Sequence, residues 1–138
     1  MKDPIPGGAD SPVVRQAGAP TDTVVVLSTA PDMLLAKRIA HMLVEESLVA
    51  CAQVGPPLVS MFLWQGELEG ADEVQLTFKT TADALPLLHM RLCELHPYEI
   101  PEFVVLGVPA GSRAYLDWVA QATRGAPRRR PGASPRGL

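Results

Sequence analysis

His96-Pro97-Tyr98-Glu99-Ile100-Pro101-Glu102 places an imidazole, a phenol and two carboxylates within seven residues. Two prolines stiffen the run: Pro97 and Pro101 fix their own φ and push His96 and Ile100 toward extended backbone. Four polar side chains are therefore presented from a rigid turn, the preorganisation a binding site needs. The spacing permits proton transfer, with His96 as general base oriented by Glu99 or Glu102. It equally permits a helix-to-strand connector whose polar groups face water.

Other chemistry-bearing residues point less far. Cys51 and Cys93 stand far apart with no C-x-x-C and no paired Cys/His spacing to suggest a zinc site, so both are expected to be free, buried thiols of a reducing compartment. Glu67, Glu69, Asp72 and Glu73 cluster where a turn is expected and are read as solvated. The five methionines show no close repeat and are assigned to core filling. G-x-S-x-G, a Walker loop and H-E-x-x-H are absent, and Gly107 to Arg113 lacks phosphate-cradle spacing.

At 138 residues the chain suits one domain with a real core. No apolar run approaches the length of a membrane span and no secretory leader is evident, so a cytoplasmic protein without membrane contact is expected. The net charge of −3 hides an asymmetry. Residues 21–123 carry thirteen Asp/Glu against five Lys/Arg, whereas 124–138 carry five arginines and no acid. An acidic body disfavours nucleic acid, because phosphate contacts dominate that affinity, and favours cations.

Three segments follow. Residues 1–20, rich in proline and glycine, are expected to be disordered, as is the Arg/Pro-rich tail 124–138, whose Arg128-Arg129-Arg130 run reads as solvated. Between them, 21–123 forms the folded domain. The β-branched run from Thr23 to Ser28 predicts a strand. Asp32 caps a helix with Leu35, Ile39 and Leu43 on its core face, ending near Leu48, and His41 lies on the solvated face within reach of Glu45. Val49 to Trp64 reads as a long strand bent at Pro56-Pro57, Gln65 to Asp72 as a turn, and Val74 to Phe78 as the returning strand of a hairpin. Leu85 to Leu95 predicts a second helix with Pro86 in its first turn, Phe103 to Val108 a last strand, and Tyr115 to Val119 a short terminal helix.

The order β-α-β-β-α-β is that of an α+β, ferredoxin-like sandwich. Its two helices cover one sheet face, yet Val24 to Leu27 and Phe103 to Leu106 are apolar at consecutive positions. Both faces of those strands seek burial, which predicts a homo-oligomer packed sheet against sheet. Grooves between subunits are ordinary ligand sites. Trp64, Lys79, His96, Tyr98, Glu99 and Glu102 sit at the ends of elements and are the candidate ligand-binding residues. Aromatics such as Trp64 and Trp118 also suit subunit contacts, and Lys79 suits an ion pair with a carboxylate on the opposite strand.

Ser28-Thr29-Ala30-Pro31-Asp32, Val49-Ala50-Cys51-Ala52, Trp64-Gln65-Gly66 with Glu69, Lys79-Thr80, the His96 to Glu102 run and Tyr115-Leu116-x-Trp118 occur in that order. Over roughly residues 22–122 the series resembles the CutA divalent-cation tolerance family. The resemblance implies a ferredoxin-like subunit in a homotrimer similar to the PII-type regulators. It also implies a metal-responsive or small-ligand-binding protein without catalysis, taking its ligand or cation at the subunit interface. The family's metal ligands are a Cys where this chain has Ser28, a His where it has Leu95, and the acid matching Glu102. A hydroxyl and an alkyl group replace neither thiolate nor imidazole for copper. His96 with Glu102 is left as the candidate metal pair, for a divalent ion not required for folding. Two other readings stand beside this one: an enzyme based on His96, and a trimeric scaffold displaying its tails to protein partners.

Overall fold

The computed structural model describes residues 10–125. The beginning of the N-terminal extension and the Arg128-Arg129-Arg130 run lie outside them. Strand β1 (Val13–Arg15) precedes β2 (Thr23–Ala30), α1 (Met33–Glu45), β3 (Cys51–Trp64) and β4 (Glu67–Thr81). After a single 3-10 turn come α2 (Leu85–Leu95), β5 (Val104–Gly107), β6 (Ala110–Ser112) and α3 (Arg113–Thr123). The main sheet has the order β3-β4-β2-β5, antiparallel throughout, which is the split arrangement expected of β-α-β-β-α-β.

Period-2 alternation decides what each strand buries. Val26 and Ala30 of β2 and Val74, Leu76 and Phe78 of β4 turn to one face, where they meet Ala36, Ile39 and Leu43 of α1 and Leu88 and Leu92 of α2. The Asp32 carboxylate starts α1 as predicted, accepting the Leu35 N–H at 2.8 Å. The helix ends at Glu45, earlier than expected, because Ser47 takes a left-handed φ of 59°. A two-pronged bond, Arg91 Nε and Nη2 to the Glu46 carboxylate at 2.9 Å each, ties α2 to the end of α1. Among the described residues no helix is long and apolar enough to cross a membrane.

Four expectations need correction. The segment read as disordered carries β1, which pairs with β6. Pro12 and Ser11 ahead of it accept the N–H groups of Arg113 and Ala114, and Ser112 Oγ accepts that of Tyr115, so the first turn of α3 is satisfied largely by the N-terminal segment. The broad turn over Gln65 to Asp72 is instead the two-residue turn Gln65-Gly66, both at positive φ, and Glu67 to Asp72 are strand residues. Beyond Val74, β3 and β4 have no third strand beside them among the described residues and form a two-stranded arm with Val59, Leu63 and Leu68 exposed, as is Met61, which was expected to fill the core. Of the cysteines, both free, Cys51 is half-buried and Cys93 exposed.

The sheet face away from α1 and α2 is covered at one end by α3, whose Thr123 Oγ1 lies 3.4 Å from Thr81 Oγ1. The rest of that face, with Val25, Leu27, Val104 and Leu106, is half-buried or exposed. Val105, paired with Val26, belongs to the helix side of the sheet.

Candidate functional site

The rigid loop is clamped onto the end of β2. His96, only 7% exposed, closes α2 and sends Nε2 to within 2.7 Å of the Thr29 carbonyl oxygen. Its Nδ1 accepts the Tyr98 backbone N–H at 3.1 Å. These partners assign the tautomer: a carbonyl only accepts, so Nε2 carries the proton, and an N–H only donates, so Nδ1 offers its lone pair. In this arrangement neither nitrogen is left for a cation or for a substrate proton. The far end of the loop is fixed by Ser28, whose buried hydroxyl donates to the Glu102 carbonyl at 2.7 Å.

Between those two anchors Tyr98 folds back over the imidazole, ring centroids 4.7 Å apart. Its hydroxyl donates to Glu73 Oε2 at 2.9 Å, and Thr29 Oγ1 donates to the same oxygen at 3.2 Å. Burial, then the hydrogen bond to Glu73 and the charge of its carboxylate, push the Tyr98 phenol up to about 12, so it remains a donor across the physiological range. Glu73 is itself only 7% exposed, and among the described residues Oε1 accepts nothing and no cation pairs with the carboxylate. The residue lines a groove where the arm leaves the sheet, bounded by Pro31, Asp32, Met33, Leu58 and Asp72.

The structure thus brings His96 and Tyr98 together and adds Thr29 and Glu73, which sequence reasoning did not select. Glu73, expected in a solvated turn, is instead largely buried. Glu99 and Glu102 are exposed, and neither orients the His96 ring, whose partners are Thr29 and Tyr98. Trp64 stands at the arm's tip opposite Glu67, and Lys79 opposite Cys51 at the other end of the hairpin. Each is six positions from Glu73 along β4, or about 20 Å in opposite directions, so one subunit cannot place both in the same cleft. Lys79 Nζ bonds the Gln53 side-chain oxygen at 3.1 Å rather than a carboxylate.

The metal-ligand set implied by the resemblance does not fit these surroundings. Ser28 is spent on the Glu102 carbonyl, Leu95 is alkyl, and both His96 nitrogens are engaged. Among the described residues no three His, Cys, Asp or Glu side chains converge as a metal would require.

Comparison with known proteins gives a consistent answer. A sequence model of the family described as CutA1 divalent ion tolerance protein matches residues 24–122. The Divalent-cation tolerance protein CutA of Thermus thermophilus is 46% identical over 99 residues, 72% of this chain and 96% of that protein. Among solved structures, CutA from Synechococcus elongatus superposes with a TM-score of 0.74 at 34% identity, covering 82% of this chain and 96% of that one. The protein described as the periplasmic divalent cation tolerance protein CutA of Archaeoglobus fulgidus gives 0.72 at 28% identity, covering 74% and 99%.

Proposed function

The chain belongs to the CutA1 divalent ion tolerance family, and from that premise we propose that it is a cytoplasmic homotrimer that binds a small cationic ligand and catalyses no reaction. One observation carries the binding reading. The carboxylate of the largely buried Glu73 accepts two hydrogen bonds at Oε2, while Oε1 has no partner and no counter-charge among the described residues, beside a groove. A divalent cation or a protonated amine at Oε1 would supply the missing counter-charge. The engaged nitrogens of His96 favour binding over general-base chemistry. The apolar arm and the partly open sheet face favour the trimer, whose assembly would bring Trp64 or Lys79 of one subunit to the Glu73 groove of another. Two free thiols suit a reducing compartment.

Light scattering on the purified chain should give about three times its 14.8 kDa mass. Thermal melts over a panel of divalent cations and primary amines should find at least one that raises the melting temperature of the wild type and not of Glu73→Gln. A monomer, or stabilisation that survives Glu73→Gln, contradicts the corresponding half of the reading.

A further inference from the structure

His89 and Cys93 stand on consecutive turns of α2, at the i, i+4 spacing that brings two side chains over one another. Both are exposed, and His89 Nε2 lies 3.6 Å from Cys93 Sγ. A tetrahedral zinc-class ion bonds thiolate at about 2.3 Å and imidazole at about 2.0–2.1 Å. Those two bonds at the tetrahedral angle set sulfur and nitrogen about 3.5 Å apart. The observed separation, a thiol–imidazole contact in this structure, matches that bite. The His89 ring is also held before any ion arrives, resting on Phe103 with centroids 4.8 Å apart and planes inclined by 59°. A pre-set ring loses less entropy on binding.

We propose that His89 and Cys93 form a surface binding site for a thiophilic, zinc-class divalent cation. The site is distinct from the Glu73 groove and from the family ligand positions occupied here by Ser28 and Leu95. A thiolate and an imidazole select a borderline-soft ion and discriminate against magnesium and calcium, which seek oxygen. Loading exchanges the thiol proton for the metal: the S–H bond breaks, the sulfur pair forms the S–metal bond, and the proton leaves to solvent. Among the described residues no third His, Cys, Asp or Glu joins the pair, so water completes the shell. Such an open site exchanges its ion readily, unlike a closed structural one.

The test uses the reduced full-length protein, a phosphine reductant and Co2+ alone as the probe. A thiolate-to-cobalt charge-transfer band should appear with one Co2+ per chain and vanish when Zn2+ is added. Cys93→Ser should abolish the band. His89→Ala should weaken binding roughly tenfold or more. Cys51→Ser and Glu73→Gln should leave the band intact, which separates this site from the groove. Both ligand side chains are exposed, so their variants fold, as far-ultraviolet circular dichroism would verify. No band in the wild type at millimolar Co2+, a band that persists in Cys93→Ser, or one lost in Cys51→Ser would overturn the proposal.

Discussion

His96 and His89 lie seven positions apart on the same helix and its cap, yet they occupy opposite chemical situations. His96 is buried with both nitrogens committed to backbone groups, while His89 is exposed with one nitrogen facing a thiol. The difference shows that residue type and local spacing do not decide which histidine can be a ligand. What decides is whether the backbone has already claimed its lone pair. In the loop the prolines deliver His96 to the Thr29 carbonyl and to the Tyr98 N–H, and a brace results. On α2 the helix satisfies its own backbone, so the nitrogens of His89 are left to side chains: its ring rests on Phe103 and its Nε2 faces Cys93.

The largest expected effect separates the two by stability. His96→Ala strands a buried carbonyl and a partly buried N–H, and should cost about 2–4 kcal/mol in urea unfolding at unchanged m-value. His89→Ala, which loses its ring contact with Phe103, should cost no more than about 1 kcal/mol. Equal costs for the two would show that the two rings are equally committed to the fold.

A smaller effect sharpens the buried half. Tyr98→Phe removes one donor from the Glu73 carboxylate and should cost about 1–2 kcal/mol at neutral pH. Because folding raises the Tyr98 value from 10.0 to about 12, its contribution is fully present below about pH 10 and is lost as pH rises toward 12. Tyr115 is also raised, by burial and then by the charge of Cys51, and adds to the same alkaline loss. Unfolding followed from pH 9 to 12 should therefore show a shallower decline in Tyr98→Phe than in the wild type, with Tyr115 carrying the remainder. Parallel declines would exclude Tyr98 as a source.

Most of the fold was legible because it rests on periodicity. Leu35, Ile39 and Leu43 or Val74, Leu76 and Phe78 announce their elements within a few residues, and the helix cap at Asp32 is as local. What was missed depends on distant partners. Val13–Arg15 has no pattern of its own and becomes a strand only because Ala110–Ser112 offers it an edge. Glu73 looked solvated among neighbouring acids, and it is buried because Thr29 and Tyr98 reach it from β2 and the loop. Glu67 and Glu69 carry the charge expected of a turn, yet they are strand residues of an arm that has no third strand among the described residues, so both of its faces meet water. The His89/Cys93 pair is H-x-x-x-C on a helical pattern, a spacing that suggests no zinc site while cysteine is expected in the core, and only the structure shows Cys93 exposed beside His89.

The central claim is that His96 is a committed brace and His89 an available ligand, and one zinc titration followed through the imidazole nitrogens by long-range 15N–1H NMR tests both at once. The account predicts that His96 shows the Nε2–H tautomer from the start and does not move, while the His89 Nε2 resonance shifts as zinc is added. A shift at His96, or a motionless His89, would contradict it.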